Sequence, residues 1–184
     1  MLYSTREPFE YTDPRETTGI MTDRPSDMLI WAYGYGHINE LCSELPVNTQ
    51  VLDLGSGASN FGHTIAGCRP DITWTNFDAR YGDADISTED QEQIELLQAS
   101  APENLRYVGG NILDPPEQIR AQRFGRIFSY YMFPYVIDYF GREIAANAME
   151  NALRLLEPDG RFSMGPIRYQ DSGCWTVSRP DESS

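Results

Sequence analysis

Apolar and polar positions along the chain fall into short blocks that switch between two periods. After Ser26-Asp27, a pair suited to capping, apolar residues recur at Leu29, Ile30, Tyr33, Ile38, Leu41 and Leu45 with helical spacing. Gly34 and Gly36 interrupt that helix and predict a break. Gln50-Val-Leu-Asp-Leu54 is a compact apolar run bounded by turn formers, as expected of a buried strand. Gly55-Ser-Gly-Ala-Ser-Asn60 predicts a tight loop, with a short helix following through Ile65. Ile72-Thr-Trp-Thr-Asn-Phe77 alternates as a second strand and ends on Asp78. A helix is signalled from Ser87 to about Ser100, with Ser87 as cap, Glu89 and Asp90 in its first turn and Ile94 and Leu97 inside. Leu105-Arg-Tyr-Val108 predicts a third strand, Pro115-Pro116 the start of a short helix, and Arg126-Ile-Phe-Ser-Tyr130 a fourth strand. A long helix is expected from about Gly141 to Leu156, with Ile144, Ala148, Ala152 and Leu155 on one face. Glu157-Pro-Asp-Gly160 reads as a turn, and Arg161-Phe-Ser-Met164 as the fifth strand.

Strands alternating with helices imply an α/β domain, a Rossmann-like, doubly wound and mostly parallel sheet with helices on both faces. Only about 20 residues follow the fifth strand, so the antiparallel part is shortened, with Cys174-Trp-Thr-Val-Ser178 as one antiparallel strand. Residues 26–184 read as a single domain. Residues 1–25 are polar, carry Tyr3, Phe9, Tyr11 and Met21, and read as an irregular arm, either a lid over a cleft or a tail.

Composition narrows the chemistry. The chain carries 28 acidic residues against 14 basic ones, for a net charge of −14, and every cation is an arginine. That lysine-free composition fits either codon drift in a GC-rich genome or a high-salt cytoplasm. An acidic surface repels phosphates and disfavours nucleic acid as partner. Without a lysine amine, P-loop phosphoryl transfer and pyridoxal-phosphate chemistry are excluded. Cys42, Cys68 and Cys174 form no C-x-x-C pair and read as free thiols of a cytoplasmic protein. His37 and His63 share no metal-ligand spacing, so no metal site is expected. The most apolar stretch, Ile127 to Ile137, contains Pro134 and falls short of the ~20 residues a membrane span requires.

In doubly wound sheets ligands bind beyond the carboxyl ends of the strands, where strand order reverses. There the sequence places Asp53-Leu-Gly-Ser-Gly57, whose Gly55 and Gly57 let backbone approach a ligand beside the Asp53 carboxylate. Asp78, ending the second strand, is placed to take both hydroxyls of a ribose. A nicotinamide fingerprint running from Gly55 would need its third glycine at position 60, which is Asn60. An acid two residues before the first glycine suits a cationic amino acid better than a pyrophosphate.

The segments VLDLGSG (51–57), WTNFDAR (74–80), YVGGNILD (107–114) and LLEPDGRF (155–162) together resemble the motifs of class I S-adenosylmethionine-dependent methyltransferases, over about residues 47–165. The resemblance implies S-adenosylmethionine as cofactor. Asp53 and the backbone around Gly55, Ser56 and Gly57 would hold its methionine portion, and Asp78 with Ala79 its ribose. Asn111 would face the adenine amine, with the Ile112 backbone beside the ring, and Ser129 would complete the cofactor set. The chain departs from the family at Ser59, Asn111, Gly125 and Asp159, and in its short C-terminal part.

Methyl transfer from a sulfonium is an in-line displacement that positioning alone can accelerate. No nucleophile–base pair is marked. Tyr130 and Tyr131, where such enzymes place acceptor-side residues, are candidates to orient a small organic acceptor, or else core aromatics. His37 is a candidate acceptor-side base or a structural histidine. The aromatic group Tyr130, Tyr131, Phe133, Tyr135, Tyr139 and Phe140 is core or the wall of a site for a flat acceptor. Two functions follow: a methyltransferase for a small molecule, or a cofactor-binding partner protein without turnover of its own. The missing acceptor wall would come from the arm, a second copy or a partner subunit.

Overall fold

The computed structural model describes residues 26–81, 88–130, 132–165 and 175–178. The arm at 1–25, the Ser87 cap, Tyr131 and Cys174 lie outside the described residues. The elements run α1 (Ser26–Ala32), α2 (Ile38–Glu44), β1 (Gln50–Leu54), α3 (Phe61–Cys68), β2 (Thr73–Asp78), α4 (Thr88–Ala99), β3 (Leu105–Gly109), α5 (Glu117–Arg120), β4 (Phe124–Tyr130), α6 (Met132–Phe140), α7 (Arg142–Arg154), β5 (Leu156–Gly165) and β6 (Trp175–Ser178).

The sheet order is β3-β2-β1-β4-β5-β6. β1 to β5 pair in parallel, and β6 pairs antiparallel with β5 from Arg161↔Ser178 to Met164↔Trp175. The chain winds outward from β1 through β2 to β3, then returns to β4 on the other side of β1. Strand order therefore reverses between β1 and β4. Consecutive β1 residues feed opposite cores, which is why its apolar run does not alternate. Val51, with Trp74 and Phe128, packs against Leu29, Leu41, Phe61 and Ile65 of α1–α3. Leu52 and Leu54, with Ile127 and Phe162, pack against Phe133 of α6 and against Ala148 and Ala152 of α7.

The predicted break separates α1 from α2, with Gly34 at φ +90°. His37 caps α2: its Nδ1 accepts from the Glu40 N–H at 3.3 Å, and the Glu40 carboxylate accepts from the Gly36 N–H at 2.7 Å. Two expectations need correction. α6 is a helix that the apolar pattern did not reveal, because Phe133, Tyr135, Val136 and Ile137 are residues typical of strands. Pro134 is accommodated as its third residue, inside the first turn, where a backbone N–H has no intrahelical partner to lose. Residues 157–160, expected as a separate turn, are absorbed into β5: the register steps from Phe124↔Leu156 to Arg126↔Arg161, so the extra β5 residues bulge out of the ladder.

α2, α3 and β2 are tied together by Arg69. Its guanidinium donates to the carbonyls of Cys42 and of Leu45, the latter at 3.0 Å, and bidentately to Asp71 with both contacts at 2.6 Å. That pairing lowers the Asp71 carboxyl to about 2. Because the folded value lies below the unfolded one, the pair's contribution is complete above about pH 5 and is lost as pH falls through about 2. We expect Asp71→Asn to flatten the fall in stability over that window, read from urea midpoints measured against pH.

Candidate cofactor site at the carboxyl ends of β1 and β2

The loop after β1 and the end of β2 are joined directly. Gly55 (φ +75°) and Gly57 (φ +55°) turn the chain in the left-handed region that glycine tolerates. The Gly55 N–H donates to the Phe77 carbonyl at 2.8 Å, and the Gly57 N–H donates to Asp78 Oδ2 at 2.8 Å. A side chain at Gly55 would collide with Met132, whose Cβ lies 2.9 Å from the position a Cβ would take. The start of α6 thus lies against the glycine loop.

Asp78 is buried and receives more than the loop. Oδ1 accepts from the Arg80 backbone N–H at 2.9 Å and from Arg80 Nε at 3.1 Å, and Oδ2 accepts from the far end of the guanidinium at 3.3 Å. Beside it, Tyr81 donates its phenolic proton to the Gly57 carbonyl and accepts from the Ser56 hydroxyl at 2.8 Å. Burial, with the Asp78 charge nearby, pushes the Tyr81 phenol well above its ordinary value, so it acts as a neutral donor. Burial also pushes the Tyr107 phenol up, and Asp53, buried in β1 opposite Asn76 of β2, adds to the shift of both phenols. Gly109 lets the chain leaving β2 cross the end of β3, since a Cβ there would sit 1.8 Å from the Tyr81 carbonyl oxygen.

The other expected residues are placed as follows. Ala79 is exposed beside Asp78. Asn111 is exposed past the end of β3, with its Oδ1 accepting from the Leu113 N–H at 2.9 Å in an Asx turn. Ile112 is buried in the core, and its carbonyl accepts from Asn151 at 2.9 Å. Ser129, near the end of β4, is fully buried and its hydroxyl has no hydrogen-bond partner among the described residues. Tyr130 is half-buried with its ring 6.0 Å from that of Tyr33, which also meets Phe128 at 4.9 Å. His37 is exposed and engaged in capping α2. Phe133 belongs to the core, whereas Tyr135 and Phe140 are exposed. Arg80, Tyr81, Met132 and Tyr33 were not singled out from the sequence as site residues. No group of three or more His, Cys, Asp or Glu with metal-binding geometry occurs among the described residues.

The same architecture occurs in coclaurine N-methyltransferase bound to N-methylheliamine and S-adenosylhomocysteine, at TM-score 0.51 and 17% identity over 69% of this chain and 34% of that one. PKMT2 from Rickettsia typhi gives TM-score 0.52 at 19% identity, over 72% of this chain and 25% of that one. This is the class I methyltransferase fold. A chain from the Haloferax volcanii complex of the Trm112 methyltransferase activator with a methyltransferase gives TM-score 0.50 at 18% identity, over 75% of this chain and 53% of that one. This chain therefore spans a quarter to about half the length of these class I methyltransferase folds. No family model matches the sequence, and no curated protein does.

We expect Tyr81→Phe to lower unfolding stability by about 1–2 kcal/mol, because it leaves the buried Gly57 carbonyl without its phenolic donor. Urea unfolding measures that loss. Amide exchange should show faster opening at Ser56 and Gly57 than at the core of β1.

Proposed function

We propose that the chain is an S-adenosylmethionine-dependent methyltransferase acting on a small organic molecule. The observation carrying this reading is the hydrogen bond from the Gly57 N–H to Asp78. It puts a β2 carboxylate of the kind that takes ribose hydroxyls against a glycine loop open to close approach, beside the reversal of strand order. The residues present fit the cofactor. Two carboxylates, Asp53 and Asp78, suit its ammonium and ribose hydroxyls, the positive-φ glycines suit its methionine portion, and the unpartnered Ser129 hydroxyl supplies a further polar group.

When bound, S-adenosylmethionine supplies an electrophilic methyl group for in-line displacement. Asp53 and the backbone of Gly55, Ser56 and Gly57 hold the methionine portion; Asp78 and Ala79 take the ribose; Asn111 and the Ile112 backbone border the adenine. Tyr81 keeps the glycine loop in one shape. Tyr130, with Tyr33 beside it, orients the acceptor, and Tyr131 is assigned to the same side. His37 can reach a role in proton transfer only by giving up its cap on α2. With no paired base among these groups, the protein contributes position and exclusion of water.

A second reading is a cofactor-binding partner without turnover of its own, motivated by the departures from the family pattern at Ser59 and Asn111. Calorimetric titration with S-adenosylmethionine and S-adenosylhomocysteine tests both readings, followed by methyl transfer from labelled cofactor to a panel of small aromatic acceptors. We expect binding and transfer by the single chain. Asp78→Ala should weaken binding by about 30- to 1000-fold, equivalent to roughly 2–4 kcal/mol, and Asp78→Asn by less. No binding at millimolar concentration would remove both readings, and binding without turnover would leave the partner protein.

A further inference from the structure

Between α6 and α7 the packing leaves a gap of about 230 Å³. Phe133 and Ile137 of α6, Ala145, Ala146 and Met149 of α7 and Met164 of β5 line it, an almost wholly apolar wall. Packed interiors rarely leave voids larger than a water molecule, and here two alanines of α7 stand where longer side chains would close the space. Arg142 is the one charged residue of the lining, exposed at the first position of α7. Its guanidinium has no ion pair or hydrogen bond among the described residues. A cation in the first turn opposes the helix dipole, so the stability of α7 does not account for it. No residue assigned a part in methyl transfer lines this cavity.

We propose that the α6–α7 cavity binds a small arylalkanoate, its apolar body between the helices and its carboxylate on Arg142. Size sets the body: an apolar cavity of about 150 Å³ holds benzene, so this one takes a ring and a few further carbons. Charge sets the head group. The chain carries a net charge of −14, so an anion finds attraction only at a local cation, and a guanidinium pairs with a carboxylate through two parallel hydrogen bonds. A cationic ligand of the same shape is repelled by Arg142, and a neutral one gains nothing from it. The lining is apolar elsewhere, so a ligand with polar groups along its body loses hydration there without replacement. One charged end on an apolar body is the chemistry that matches both parts.

The test uses the full chain with isotope-labelled methionine methyl groups, titrated by NMR with 3-phenylpropionate and with the neutral 3-phenylpropanamide. We expect the Met149 and Met164 signals, assigned through Met149→Leu and Met164→Leu, to shift with a Kd on the order of 0.1–1 mM for the acid. Met28, in α1 on the other face of the sheet, should stay in place. The amide should bind about 10-fold more weakly, and Arg142→Gln should bring the acid to the level of the amide. Ala146→Phe fills the cavity and should abolish binding of both. Arg142 and Ala146 are exposed, so neither change disturbs the core. Equal binding of acid and amide, no shift at about 10 mM acid, or binding indifferent to Ala146→Phe would each overturn the proposal. Sedimentation as a dimer that Ala146→Phe dissociates would do so too, giving the cavity to a second copy of the chain.

Discussion

The Asp78 carboxylate, 7% exposed, accepts from the Gly57 N–H, the Arg80 N–H and the Arg80 guanidinium. Removing a carboxylate from water costs several kcal/mol, and only a full set of donors with good geometry offsets that cost. Of these donors Gly57 is the one that matters for architecture, because it crosses from the loop after β1 to the end of β2, as the Gly55 N–H does to the Phe77 carbonyl. Tyr81 then holds the other side of the same residue through the Gly57 carbonyl. With its N–H and C=O both fixed by the segment leaving β2, the glycine loop is bound to the sheet rather than hinged on it. A ligand entering the crevice meets a backbone already shaped.

The two faces of the sheet are built differently, and the difference places the polar groups. The face toward α5–α7 is filled by Leu52, Leu54, Ile127, Phe162 and the small Ala148 and Ala152, which bring α7 close. The face toward α3 also buries polar side chains. Trp74 Nε1 donates to Asn76 Oδ1 at 2.8 Å, the Tyr107 phenol meets His63 Nδ1 at 3.1 Å, and His63 Nε2 meets the Leu97 carbonyl at 2.8 Å. A carbonyl only accepts, so Nε2 carries the proton and Nδ1 accepts from Tyr107. Asp53, two residues on from Val51 and opposite Asn76, shares this face of the sheet, so polar groups lie along it as far as the carboxyl end of β1.

The sheet was legible because its signals were local. β1 and β4 are apolar runs between turn formers, β2 alternates, Gly34 and Gly36 break the first helix, and Trp175–Ser178 form the antiparallel strand β6. α6 was not legible, since its β-branched and aromatic residues carry strand propensity and Pro134 argues against a helix, and packing of Phe133 into the core overrides both. The bulge in β5 depends on how many residues β4 can match, which β5's own sequence does not express. In the site, Asp53, Gly55, Gly57 and Asp78 stood out by type and spacing. Arg80 and Tyr81 did not, because their roles depend on the chain folding back over Gly109, a close approach that only the assembled sheet reveals.

That fold-back sets the surroundings of the Asp78 carboxylate from within the chain. A buried carboxylate needs a counter-charge, and Arg80, two residues on, supplies one from within the chain. The two partners are not equally fixed. The Asp78 side chain is 7% exposed and held by Gly57, whereas the Arg80 side chain is 33% exposed and held at this end by Asp78. A polyol donating to Asp78 would therefore displace the guanidinium and leave the Gly57 bond intact, since the long, half-hydrated side chain regains water on leaving and a buried amide would not. Such an exchange of one set of donors for another would keep the carboxylate satisfied and leave the Gly57 bond to the loop in place.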